Sequence, residues 1–130
     1  MNDTQWHEFF TAAADVLGRG NPLAEHSFSW CAWTTFDRLS ADAGYWTSGL
    51  PASEDIFGTY IGDGGVWGQP FYFSQLAHLI VPRTFTYDDP PGPNWTYRER
   101  VQDLDRLSAK LQAADVPHRL TDLVLELKCY

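Results

Sequence analysis

The sequence predicts an α+β fold: a single domain over residues 1–130, with a mostly antiparallel sheet, an N-terminal helix and a long C-terminal helix packed on one sheet face. Three observations predict it. Apolar residues recur at helical spacing near both ends of the chain, and short stretches of period-two alternation lie between and after them. Breaks rich in Gly or Pro separate these segments. The final alternating stretch has one apolar and one polar face, the pattern of a sheet covered on one side.

The first helix is marked by Trp6, Phe9, Phe10, Ala13 and Leu17, which form one stripe. Asp3 or Thr4 is placed to cap its start, and Gly18, Gly20 and Pro22 end it. From Ser27 to Phe36 the residues alternate. Phe28, Trp30, Ala32, Thr34 and Phe36 are expected on the buried face; Ser27, Ser29, Cys31, Trp33 and Thr35 are expected on the wetter one. The stretch from Leu39 to Glu54 is broken by Gly44, Gly49 and Pro51 and reads mostly as loop.

Ile56 to Ile61 and Val66 to Phe73 read as two strands joined through Gly62-Asp63-Gly64-Gly65, because glycine tolerates the positive φ that a tight reversal needs. Leu76 to Val81 predicts a further strand, with Phe85 and Tyr87 beyond Pro82. Proline removes a ladder donor, so an edge or a bend is expected there. Asp88-Asp89-Pro90-Pro91-Gly92-Pro93 reads as a stiff, exposed loop. Thr96-Tyr97-Arg98-Glu99 fits a capping box and so predicts the start of the long helix. Val101, Leu104, Leu107, Leu111 and Ala114 mark its buried face, and Pro117 ends it. In the last strand Leu123, Leu125, Leu127 and Cys129 point one way, and Asp122, Val124, Glu126 and Lys128 the other.

Charge is distributed unevenly. Residues 1–97 carry eleven Asp or Glu against three Arg and no Lys, whereas residues 98–130 carry six of each sign. The whole net charge of −8 therefore belongs to the part of the chain that is rich in tryptophan and glycine. An acidic balance disfavours nucleic acid and anionic membrane as partners and raises the encounter rate with a basic protein. Apolar residues make up 44% of the chain, which argues against disorder despite the charge. Cys31 and Cys129 are too few for a disulfide scaffold and read as free thiols. The N-terminus lacks the basic start and apolar run of a signal peptide, so a cytoplasmic protein is expected.

Motifs for chemistry are weak. Gly62-x-Gly64-Gly65-x-x-Gly68 has Trp67 where the dinucleotide fingerprint needs glycine, so it reads as a turn. His7, His26, His78 and His118 are widely separated and have no zinc spacing, and no cofactor or metal is expected. No nucleophile elbow is present. The carboxylate pairs Glu54-Asp55 and Asp88-Asp89 lie in expected loops, where adjacent acids point outward and stay solvated. With Trp67 and Trp95 nearby as aromatic anchors and Asp63 on the rim, these residues suit a protein interface better than a catalytic centre. The candidate partner-binding set is Glu54, Asp55, Asp63, Trp67, Asp88, Asp89 and Trp95.

The opening Asn2-Asp3-Thr4-Gln5-Trp6 and the closing Leu125-Glu126-Leu127-Lys128-Cys129-Tyr130 resemble the ends of small acidic bacterial domains, among which are immunity proteins of toxin–immunity systems. The resemblance covers the two ends of the chain and assigns no functional residue. It implies a non-enzymatic protein that binds and blocks a cognate toxin. Two other readings stand beside it. One is a small enzyme or ligand-binding domain that uses the aromatic residues for a sugar or nucleotide; the other is a structural or adaptor subunit bound to a basic protein.

Overall fold

A computed structural model describes residues 1–62, 66–89 and 96–130, with Asp89 described through its backbone. It is an α+β structure built on a five-stranded antiparallel sheet. The elements run α1 (Asp3–Leu17), β1 (Cys31–Thr35), α2 (Phe36–Asp42), β2 (Trp46–Ser48), β3 (Tyr60–Ile61), β4 (Phe71–Tyr72), β5 (Leu76–Pro82), β6 (Thr84–Asp89), β7 (Thr96–Val101), α3 (Leu104–Ala113), β8 (Arg119–Leu120) and β9 (Val124–Lys128). The strand order of the main sheet is β2-β1-β5-β9-β8, and β3–β4 and β6–β7 form two separate ribbons.

Helix α1 has the expected stripe: Trp6, Phe9, Phe10, Ala13 and Leu17 are all buried. Its cap is Asn2, one residue before the expected Asp3 or Thr4, and the Gln5 side chain closes a capping box with it. The α1 stripe joins Leu104, Leu107 and Leu111 of α3 in one core with Cys31, Trp33, Leu79, Val81, Leu125 and Leu127 of the sheet. Register explains why these sheet residues share a face, because Trp33 lies opposite Leu79, Leu79 opposite Leu127, and Val81 opposite Leu125.

The strand around Cys31 departs from the expected faces, although Thr34 is buried as expected. Ser27, Ser29, Cys31 and Trp33 are buried, whereas Phe28 is 65% exposed and Phe36 41%. The reason is close backbone packing. A Cβ on Gly49 would lie 2.3 Å from the Asn21 nitrogen, and one on Gly20 would lie 2.1 Å from the Leu50 oxygen. Only small side chains fit beside that crossing, and Ser27 and Ser29 fill it while bonding backbone amides of Asn21 and Leu50. Displaced outward, the larger rings find other partners: Trp30 stacks on Phe85, and Phe28 lies beneath Arg100.

Three further expectations are corrected. The stretch read mostly as loop contains the second half of α2, a helix that starts at Phe36 and is capped by the Thr35 hydroxyl, and strand β2. The long C-terminal helix does not form: Thr96 to Val101 is strand β7, and α3 has 10 residues with Asp103 as its cap. Pairing with β6 along six residue pairs outweighs a local capping box, and Thr, Tyr and Val favour the pleated surface. Ala114, expected on the buried face of that helix, is exposed. Asp88 and Asp89, expected in a loop, belong to β6. The strands expected around the Gly-rich turn do pair, but over two residues each, Tyr60 with Tyr72 and Ile61 with Phe71. Among the described residues, no helix is long and apolar enough to cross a membrane.

Candidate interaction surface

The β6–β7 ribbon is built from two alternating segments, Thr84-Phe85-Thr86-Tyr87-Asp88-Asp89 and Thr96-Tyr97-Arg98-Glu99-Arg100-Val101. Thr84 pairs with Val101, Thr86 with Glu99 and Asp88 with Tyr97; Phe85 pairs with Arg100 and Tyr87 with Arg98. Directly paired residues share a face, so the ribbon has two distinct sides. On the outer side Thr84, Thr86, Asp88, Tyr97, Glu99 and Val101 are all exposed. On the inner side Phe85 is buried against Trp30, with ring centroids 5.8 Å apart.

The inner side is fastened by two long polar side chains. Arg100 donates to the Ser27 carbonyl at 2.6 Å and lies over the rings of Tyr87 and Phe28. Gln102, just after β7, is buried; it accepts from the Trp30 amide at 2.9 Å and donates to the carbonyls of Trp30 and Pro82. That amide therefore joins segment 27–30, the end of β5 and the base of the ribbon. The two acids of the outer side face solvent, while Arg100 is turned inward.

The sequence-predicted residues have different fates. Trp67 is a correction: it is 7% exposed, packs face to face on Trp33 and donates its indole N–H to the Gly49 carbonyl at 3.1 Å. A ring committed to the core in this way is not a surface anchor. Glu54 is exposed on a short 3-10 turn (Ser53–Asp55), with its carboxylate 3.8 Å from the Arg19 guanidinium. Asp55 is half-buried, and its carbonyl accepts from the Gly62 amide. Asp88 stands exposed on the ribbon. Asp63 and Trp95 lie outside the described residues, as does the side chain of Asp89.

Glu54 and Asp88 therefore sit on separate elements. Arg19, Phe28 and Arg100 lie on the contact path between them, since Arg19 reaches Glu54 and its carbonyl accepts from the Phe28 amide. Glu54 instead borders an open groove of about 530 Å³ between α1 and the Ser53–Asp55 turn, whose lining includes Thr11, Ala14, Gly18 and Ala52 and no aromatic residue. Sequence reasoning missed Tyr97, Glu99 and Val101. Reading Thr96 to Val101 at period two rather than as a helix start would have found them.

A second cluster lies on the sheet face opposite the core. Tyr45 Oη is 2.8 Å from His78 Nδ1, and His78 Nε2 is 2.8 Å from Glu126 Oε2. Arg119 approaches the other carboxylate oxygen at 3.4 Å. The His78 hydrogen bond holds the Glu126 carboxyl below its ordinary range, with Arg119 adding to the effect. Burial, then the hydrogen bond with Tyr130, pushes the Tyr45 phenol up. In the tautomer that carries its proton on Nε2, the Tyr45 hydroxyl donates to Nδ1 and Nε2–H donates to Glu126. The three residues come from distant parts of the chain, and no spacing in the sequence announces them. No group of three or more His, Cys, Asp or Glu among the described residues is arranged to hold a metal ion.

Compared with known proteins, the chain matches no family model, no curated protein and no solved structure.

Proposed function

We propose that this chain is a cytoplasmic immunity-type protein that binds a basic toxin enzyme and blocks it through surface contact. The observation that carries the reading is that the described tryptophans are wholly or half withdrawn from the surface while acids stand on it. Trp6, Trp33 and Trp67 are buried, and Trp30 and Trp46 are half-buried. The groove of about 530 Å³ beside Glu54 has no aromatic lining. Sugar or nucleotide recognition by stacking would need such rings around a cavity. Acids at Glu54, Asp88 and Glu99 stand at the surface instead, on a chain of net charge −8. That arrangement favours a partner with a basic cleft, because complementary potential accelerates encounter and competes with a polyanionic substrate.

The direct test mixes the purified chain with the product of the adjacent gene. We expect a complex at low salt whose association rate falls as ionic strength rises, together with loss of the partner's enzymatic activity. A partner that neither binds at about 50 mM salt nor loses activity refutes the proposal; screening at that salt leaves attraction over roughly 10 Å largely intact.

A second reading, a small-ligand site, is favoured by the Tyr45–His78–Glu126 chain and the open depression of about 340 Å³ beside it, lined by Pro117, His118, Arg119, Glu126 and Lys128. Titrating sugars and nucleotides while following the His78 ring resonances tests it, and unchanged resonances reject it.

A further inference from the structure

We infer that the docking face is the outer side of the β6–β7 ribbon, with Tyr97 as its anchor. The occupant is the surface of a basic protein that presents an arginine or lysine beside an apolar spot. This rests on the binding function proposed above and goes beyond it by naming the epitope and the chemistry that it accepts.

Exposure comes first. Tyr97 is 80% exposed and Val101 74%, on a ribbon whose other large side chains have found partners. A scattered apolar residue at a surface needs no explanation, but Tyr97 and Val101 lie on one face of one strand, on either side of Glu99, so that face offers apolar and acidic contacts in alternation. Tyrosine is enriched at interface hot spots because its rigid ring gives contact area at small entropic cost.

Charge comes second. Tyr97 faces Asp88 across the ribbon, and Glu99 follows it on the same face of β7. Its ring is therefore flanked by two acids, and no residue of the outer face carries positive charge. The ribbon's two arginines belong to the other side by register. A cation seated over Tyr97 would meet the negative face of the ring and both carboxylates together. Anionic surfaces such as nucleic acid meet only repulsion there.

Rigidity comes third. The Phe85–Trp30 stack, the Arg100 contacts and the Gln102 bridge hold the inner side to the body of the protein. A platform ordered before binding loses little conformational freedom on docking.

The experiment uses the full chain and, as probe, the product of the adjacent gene, with octalysine as a measure of charge attraction alone. Tyr97→Ala should raise the dissociation constant about 30-fold or more, chiefly through faster dissociation, as expected of a hot-spot residue. Asp88→Lys and Glu99→Lys should each slow association about tenfold and flatten its salt dependence. Glu8→Lys, the same charge change on exposed α1, should leave the dissociation rate unaltered. Unchanged near-ultraviolet circular dichroism verifies that each variant is folded. The inference is overturned if Tyr97→Ala binds like the parent, or if the loss is confined to Glu54→Lys, which would move the docking face to the α1 groove while the binding function stands. A probe that fails to bind the unaltered chain removes the binding function and this epitope together.

Discussion

The indole of Trp67 lies flat on the indole of Trp33, with ring centroids 4.0 Å apart and planes 8° from parallel. Phe10 of α1 and Phe71 of β4 meet Trp67 at their edges, so one ring connects the helix layer, the sheet and the short β3–β4 ribbon. Removing it leaves a cavity at that junction. We expect Trp67→Ala to cost about 3–5 kcal/mol, the range for deleting a buried aromatic ring. Thermal or urea unfolding measures this. A spectroscopic signature is separate: the far-ultraviolet exciton signal of the stacked indoles should weaken in the variant, leaving only the contribution of Trp33 on Trp46.

Gln102 is the second junction. The residue is 2% exposed, and its side-chain amide satisfies the Trp30 amide together with the Trp30 and Pro82 carbonyls. Gln102→Ala strands all three groups, and leaving buried polar groups unpaired should cost about 3 kcal/mol. Hydrogen exchange should rise first in β6 and β7, because the ribbon has lost its fastening. Equal acceleration across the whole sheet would show that the bridge has no special link to the ribbon.

Glu126 sets an acid dependence. Its folded-state carboxyl is held below the ordinary value of 4.5, chiefly by the hydrogen bond from His78. A depressed carboxyl pKa contributes stability that is fully present above the unfolded-state value and is lost as pH falls through the folded one. Denaturant midpoints of the native chain should therefore drop below pH about 4.5, and Glu126→Gln should flatten that part of the curve. Identical slopes for the two proteins would remove Glu126 from the acid response.

Ala43 ends α2 with φ at 54°, the left-handed region that a side chain with a Cβ resists. Glycine adopts that conformation freely and is the usual residue at such helix ends. Ala43→Gly should stabilise the protein by about 0.5–1 kcal/mol after the added freedom of the unfolded chain is offset. A lower unfolding midpoint would show that the position carries no strain worth relieving.

Local signals in the sequence determined the elements that turn one regular face to the apolar core. The α1 stripe, the buried Leu104, Leu107 and Leu111 of α3, strand β5 and the inward Leu125 and Leu127 all follow from periodicity, because each such residue faces one broad apolar core. The α+β class follows from the same signals. The acidic character of residues 1–97 was likewise legible, being composition alone.

Tertiary structure decided the rest where pairing or packing with another segment overrode a local preference. Thr96 to Val101 carries a plausible helix start, yet β6 pairs with it and makes it a strand, which brings Tyr97 beside Asp88. Period two fixes which residues alternate near Cys31, but it leaves open which set faces inward; the tight Gly20 and Gly49 crossing favours small side chains beside it and settles the phase around Ser27 and Ser29. Trp67 beside a glycine turn has the look of a surface anchor in one dimension, and in three it belongs to Trp33. The Tyr45–His78–Glu126 chain exists because β5 pairs with β9 and the segment after α2 returns over them. Composition and periodicity are properties of short windows, whereas a binding face or a hydrogen-bonded triad is a property of which windows meet.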